Sequence, residues 1–331
     1  MNALKLSSEA LEPAEIGRIE LSMRVSDLHT DLQSELSPET TLRRDESLAR
    51  RTTLRVGGPA DLYVEPISEA DLTTALQFAR VHRVPVFFLG RGSNLLVRDG
   101  GIRGLVVSLG HAGLAGIAVD GDRLRVGAGA SLKLVANAAR DAGLSGMEFL
   151  EGIPGSVGGA LRMNAGAMGG WIFDLVESLR YLDVNGEPHE IAGSEAGARY
   201  RGCPLLVNQV AVSAVLRGVP SERQAILEKM TESNRKRWSS QPRQPSAGCT
   251  FKNPRQDLPA GRLIDELGLK GTRVGQAMVS DVHANFFVNL GQATATDVLR
   301  LIELVRLRVR EARGIELDPE VEIVGEDLVS P

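Results

Sequence analysis

Only two cysteines, Cys203 and Cys249, occur in 331 residues. Two thiols cannot build a disulfide framework or a structural zinc site, which points to a reducing, cytoplasmic compartment. No metal-ligand spacing is present, so no metal is expected. No apolar run is long enough to span a bilayer. The chain opens on a polar, acidic segment without an apolar core, so neither a secretory signal nor a membrane partner is expected. The 38 Lys and Arg are scattered against 42 Asp and Glu, a net charge of −4. That argues against a nucleic-acid surface. Internal repeats and low-complexity tracts are missing too. What remains is ordinary globular composition, 43% hydrophobic and 24% charged, in a chain too long for one core.

Residues 1 to about 45 mix Ser, Glu, Leu and Arg with poor periodicity, and read as a mobile extension with room for one short helix. From Thr52 onward, strand and helix signals alternate. Residues 61–65, 84–89 and 104–109 read as strands. Ser68 and Asp71 stand at capping-box spacing before Leu72, Ala75, Leu76 and Ala79, which recur at helical intervals. Asp120-Gly121 and Asn185-Gly186 are hairpin signals. Ser131 caps a helix carrying Leu132, Val135, Ala136 and Ala139 on one face. The character changes around Gly218–Pro220, where a charged helix follows and runs to about Trp238. Further helices are expected over 259–267 and from Thr294 to Gly314. The boundary is therefore placed near 217. The fold class is α+β: residues 46–217 form one domain of two lobes (about 46–109 and 110–217), and 218–328 form a smaller α/β domain.

Three glycine-rich segments stand out. The first is Arg55-Val56-Gly57-Gly58-Pro59-Ala60, just before a strand. The second, Gly90-Arg91-Gly92-Ser93-Asn94, follows one. The third runs Gly152-Ile153-Pro154-Gly155-Ser156-Val157-Gly158-Gly159-Ala160 and on through Met163-Asn164-Ala165-Gly166. Glycine lets backbone N–H groups approach an anion closely, and successive N–H groups make a concave nest. A dinucleotide, with its pyrophosphate and flat ring, needs such nests. The Rossmann fingerprint fails after Gly90, because its third glycine is missing and no helical pattern follows. A Walker loop is absent as well. A different dinucleotide fold is required.

These motifs, in order, resemble the UDP-N-acetylenolpyruvylglucosamine reductase family. So do Tyr200-Arg201, Ser246-Ala247-Gly248-Cys249-Thr250-Phe251-Lys252-Asn253-Pro254 and Pro319-Glu320-Val321. The resemblance runs from about residue 47 to 326. It implies a two-lobed FAD-binding fold of the vanillyl-alcohol-oxidase type, with a third lobe that closes over a UDP-sugar. The flavin is FAD, held non-covalently, and NADPH is the co-substrate. The implied reaction reduces the enolpyruvyl ether of UDP-N-acetylglucosamine to UDP-N-acetylmuramate, a step of peptidoglycan synthesis. The expected partners are small molecules only, and a monomer is expected.

The resemblance also distributes roles. FAD would be held by Arg55, Gly57, Gly58, Gly90, Arg91, Gly92, Ser93, Asn94, Gly152, Pro154, Gly155, Ser156, Gly158, Gly159 and Asn164. Arg201 matches the catalytic arginine, whose fork suits a carboxylate. Glu320 matches the catalytic glutamate, with Glu316 and Glu322 as neighbouring decoys. Cys249 stands where the family has a proton-donating serine. A thiol of ordinary pKa, about 8.5, keeps that role feasible, and predicts alkylation sensitivity and turnover that falls as pH rises through that value. Lys252, Asn253, His283 and Asn285 would contact the UDP-sugar, and Arg235-Lys236-Arg237 could meet its diphosphate. No insertion for the family's extra tyrosine loop is visible between 201 and 249, so the loop-less type is expected. Two other readings stay open: an FAD-dependent alcohol or sugar oxidase of the same superfamily, and a non-catalytic UDP-sugar-binding descendant.

Overall fold

The computed structural model describes residues 13–255 and 257–328, with side chains from Arg24 onward. The first lobe holds helix α1 (Pro13–Glu35), strands β1 (Thr41–Ser47) and β2 (Pro59–Glu65), helix α2 (Glu69–Val81), and strands β3 (Val86–Leu89), β4 (Leu95–Val97) and β5 (Ile102–Ser108). Its main sheet has the order β1-β2-β5-β3, antiparallel only at β1. Ser68 caps α2 by accepting from the Asp71 N–H, and Leu72, Ala75, Leu76 and Ala79 face the core as their spacing requires.

Order begins earlier than residue 46, which corrects the expected extension. Leu32 of α1 and Leu36 just after it are buried in the same core as Leu62, Val64 and Leu72. Strand β1 pairs with β2 from Thr41↔Glu65 to Ser47↔Pro59. The Asp71 carboxylate fastens this segment, accepting from the Ser37 N–H and from the Ser37 and Thr40 hydroxyls. The periodicity was unreadable for a physical reason. An edge strand of sequence TLRRDES has no buried face to write an alternation. Residues 1–12 of the expected extension lie outside the described residues.

The second lobe is an antiparallel sheet of β6 (Ile117–Asp120), β7 (Arg123–Gly127), β8 (Val176–Leu182), β9 (Pro188–Ala192) and β10 (Val210–Arg217), ordered β9-β8-β10-β7-β6. Helices α3 (Leu132–Asp141) and α4 (Val157–Met163) cover it. Helix α5 (Arg223–Ser240) packs on this lobe, with Ile226 and Met230 buried in its core. The change of composition at 217 therefore marks exposure, not a domain boundary. The boundary falls after α5, because a charged helix needs only two apolar anchors to stay with the preceding lobe.

The third lobe contains β11 (Ser246–Cys249), helix α6 (Ala260–Glu266), β12 (Arg273–Val274), β13 (Ala277–Val279), β14 (Phe286–Asn289) and helix α7 (Ala295–Arg313). Its sheet order is β11-β14-β13-β12. Thr294 and Asp297 form a capping box at α7, and Gly314 ends it in a left-handed conformation. The chain then crosses back, and β15 (Glu322–Val324) pairs in parallel with β4 of the first lobe.

Candidate functional site

One cleft of about 290 Å³ runs between the lobes. Gly90, Arg91, Gly92, Ser93 and Asn94 line it, as do Pro154, Gly155, Ser156 and Gly159, and so do Arg201, Cys249 and Glu320. Residues up to 230 positions apart in the chain thus share one wall.

The second glycine segment fits an anion. Among the described residues, the backbone N–H groups of Arg91, Gly92 and Ser93 meet no protein acceptor. Gly92 sits at φ +60, and a Cβ there would lie 2.5 Å from the Arg51 carbonyl, so only glycine lets this turn lie on residues 51–52. Facing it, Pro154–Ser156 lead into α4. Arginines 91, 162, 201 and 237 line the cleft against Glu320 and Glu322, an excess of positive charge suited to phosphates and carboxylates.

Not every expected cofactor residue faces the cleft. Arg55, Gly57 and Gly58 line no part of it. A Cβ on Gly58 would strike the Asp99 carbonyl at 2.1 Å, and one on Gly57 would meet Val97. This segment is glycine-rich so that it can pack on β4 and the turn after it. Asn164 ends α4 in a left-handed conformation, and its amide binds the Arg199 carbonyl and the Phe173 N–H; it shapes the loop that carries Arg201. Gly152 lies beside Arg237, outside the cleft lining, and Gly158 packs on Ala128.

Arg201 sits at the tip of a turn closed by two hydrogen bonds between Arg199 and Gly202, with a left-handed φ of 55°. Strain of that kind at a side chain aimed into a cleft is held by its surroundings. The Trp171 and Tyr200 rings flank its guanidinium. Its Nε lies 2.7 Å from Oε1 of Glu320, but the N–H is not directed along that line, so the contact is an ion pair rather than an aligned hydrogen bond. Glu320 is held from both sides: its N–H donates to the Thr250 carbonyl of the third lobe, and its carbonyl accepts from the Asn94 amide of the first. Burial raises its pKa, against the pull of Arg201 and Lys252. Glu316 instead pairs with Arg306 on the surface, and Glu322 pairs with Arg162 inside the cleft.

Burial, reinforced by the negative charge of Glu320, pushes the Cys249 thiol up to about 11, while Arg201 and Asn285 oppose. This corrects the ordinary value taken from sequence. The thiol stays protonated well above neutrality, so it is a durable acid and a poor target for alkylation. Cys203 is buried with its Sγ 3.4 Å from the Ala196 carbonyl, a packing role.

Behind Cys249 a second depression opens in the third lobe, lined by Asn253, Lys270, His283 and Asn285 among others. Asn285 is 2% exposed and both ends of its amide are spent on the Phe251 backbone. It clamps β14 to the Cys249 strand rather than offering free groups to a ligand. Asn253 accepts from the Ala260 N–H at the start of α6. Burial, then Lys270, lowers the His283 pKa, so the imidazole is neutral and can donate or accept. Lys252 is exposed and acts on Glu320 through its charge. Arg237 was read only as one of a basic run; the structure separates it from its neighbours by burial, which lowers its pKa, and by Glu151 beside it. A basic residue seven positions, about two helical turns, after buried Met230 on α5 was the available signal.

A two-lobed fold with an anion nest at its seam, an arginine from the second lobe, and a third lobe and C-terminal return that bring Cys249 and Glu320 to the same cleft, defines a flavin-dinucleotide-binding oxidoreductase. An FAD binding domain family matches residues 60–192, and the C-terminal domain of UDP-N-acetylenolpyruvoylglucosamine reductase matches 241–324. The UDP-N-acetylenolpyruvoylglucosamine reductase of Rubrobacter xylanophilus is 46% identical over 85% of this chain and 95% of its own. That of Clostridium novyi is 41% identical over 91% and 97%. The crystal structure of the Thermus caldophilus enzyme has 40% identity, covers 86% of this chain and 98% of its own, and superposes with a TM-score of 0.74. The chain belongs to the UDP-N-acetylenolpyruvoylglucosamine reductase family.

Proposed function

We propose that this chain reduces UDP-N-acetylglucosamine enolpyruvate to UDP-N-acetylmuramate with NADPH, through bound FAD, as a cytoplasmic step of peptidoglycan synthesis. One observation carries the reading: the Arg201–Glu320 pair and the protonated Cys249 thiol stand on the same cleft as the free amides of Arg91–Ser93.

The Arg91–Ser93 amides and the Pro154–Gly159 segment would hold the FAD pyrophosphate. FAD supplies the two-electron reducing chemistry when bound. The chain's own residues supply the rest. When the enolpyruvyl group is reduced at its β-carbon, negative charge builds on the α-carbon and its carboxylate. Arg201, clamped by Glu320 and two aromatic rings, is placed to receive that charge without reorganising. Cys249 is the proton donor to the α-carbon, and its raised pKa keeps the proton available. Glu320, tied to Thr250 and Asn94, fixes Arg201 and lends it an acceptor. Asn253, Lys270 and His283 in the second depression would bind the UDP part.

The test is NADPH oxidation by purified protein with and without the UDP-enolpyruvyl sugar, after release of the flavin by heat or acid for identification. Sugar-dependent oxidation with about one free FAD per chain supports the reading. NADPH oxidation indifferent to the sugar, with an alcohol consumed instead, favours the oxidase.

A further inference from the structure

Helix α1, whose sequence carries no legible periodicity, walls a cavity that the reaction leaves without a task. The cavity lies between α1, β2 and the turn after α2, and encloses about 370 Å³. It shares no lining residue with the cleft or with the depression behind Cys249. Its size is within the range of small-molecule sites. Val25, Leu28, Leu62, Val84 and Pro85 give it aliphatic walls, and no aromatic ring lines it among the described residues.

Its charges are unequal. Arg24, Arg83 and Arg103 line it against Asp61 and Glu326. Asp61 is committed to the wall: its Oδ1 lies 2.5 Å from Nη1 of Arg103, and its Oδ2 accepts from the Gly104 N–H. Oε2 of Glu326 stands 3.8 Å from Nε of Arg103, beyond hydrogen-bond reach, and that buried Nε has no partner among the described residues. A buried donor left unpaired is unfavourable and calls for an acceptor. Arg24 and Arg83 are exposed at the rim. Arg83 has a left-handed φ of 55° just past the C-cap of α2; its N–H donates to the Arg80 carbonyl, and the Val84 N–H to that of Ala79. Glycine is the residue that suits this position, so the chain accepts backbone strain while keeping a guanidinium beside the cavity.

We infer that this cavity binds a small amphipathic anion, a short aliphatic body ending in a carboxylate or phosphate. Arg24, Arg83 and Arg103 grip the head, whose oxygens suit guanidinium forks. Val25, Leu28, Val84 and Pro85 take the body. The volume holds one short chain, which makes the ligand a free molecule rather than a membrane lipid. The site is separate from those of the flavin and the sugar.

The test is calorimetric titration of the FAD-loaded full chain with octyl phosphate, octanoate and octan-1-ol. At least one of the anions binds with a Kd on the order of 10⁻⁴ M, as about a dozen ligand atoms allow, and octan-1-ol binds about tenfold more weakly or worse. The tighter of the two anions tells phosphate from carboxylate. Arg83→Gly suits the left-handed backbone and does not lower the melting temperature. It weakens the anion roughly tenfold, the worth of one charge-assisted contact, and leaves octan-1-ol binding and turnover unchanged. Arg24→Gln weakens the anion likewise. No binding of either anion at millimolar concentration overturns the inference. So does octan-1-ol binding as tightly as the anions. An Arg83→Gly variant with the parent's affinity also overturns it, and would put the anion among the arginines of the cleft instead.

Discussion

The Cys249 thiol offers a sharp test, because its reactivity and its role as an acid draw on the same electrostatics. With a pKa of about 11, only about 10⁻³ of it is thiolate at pH 8, against roughly a quarter for an ordinary thiol. Its alkylation should therefore be about two hundredfold slower than that of a free cysteine. Glu320→Gln removes the negative charge that helps hold the proton and leaves Arg201, which favours the thiolate. A fall of about one pKa unit would raise the reactive fraction roughly tenfold. The assay is the rate of iodoacetamide modification at Cys249, followed by mass spectrometry from pH 7 upward in a Cys203→Ser background. The shape of the profile gives the pKa whatever the access of the reagent. A midpoint near 8.5 in the parent, or a Glu320→Gln variant that reacts no faster, would refute the reasoning. The sign for catalysis follows: the donor is protonated below its pKa, so turnover limited by that proton declines only as pH rises toward about 11.

Arg201→Lys should lower kcat/KM by ~3 kcal/mol, about a hundredfold, because a point charge cannot replace the fork that Glu320 and the aromatic rings orient; unchanged reduction of the flavin by NADPH alone would localise the loss. Glu320→Gln should slow turnover with flavin retained, whereas Glu316→Gln, which breaks surface pairs with Arg306 and Arg310, should leave steady-state rates within about twofold. Cys249→Ala should lose roughly 10²–10⁴ in reduction of the sugar, with partial recovery in Cys249→Ser. Gly155→Val should abolish flavin content in a folded protein, read by absorbance and a thermal melt, since a Cβ there meets only Leu132 at 3.5 Å and Ser93 at 3.9 Å. The same change at Gly158 would press on Ala128 at 3.1 Å and confound the result.

The elements that announced themselves in the sequence were those with a buried face. Helix α2 spelled out its cap and its core positions, and α3 its core positions. Strand β1 went unread because none of its residues is fully buried, and α5 was set in the wrong domain because it buries only Ile226 and Met230. The site was legible where chemistry forced unusual residues: Arg201, Glu320 and Cys249 meet as the motif order implied. Glycine was a blunter signal. It marks close approach of backbones from some 40 residues away, residues 51–52 at Gly92 and β4 with the turn after it at Gly57 and Gly58, which the sequence alone does not distinguish from approach of a ligand. Asn285 illustrates the same limit, since an amide spent on the Phe251 backbone reads in sequence like one awaiting a ligand.

The central claim is that the cleft carries electrons from NADPH to the enolpyruvyl group. Under anaerobic conditions the visible absorbance of the flavin is followed through two additions. NADPH should bleach it, and UDP-N-acetylglucosamine enolpyruvate added afterward should restore it with formation of UDP-N-acetylmuramate. A flavin that NADPH reduces but the sugar leaves bleached, while oxygen restores it, would contradict the account.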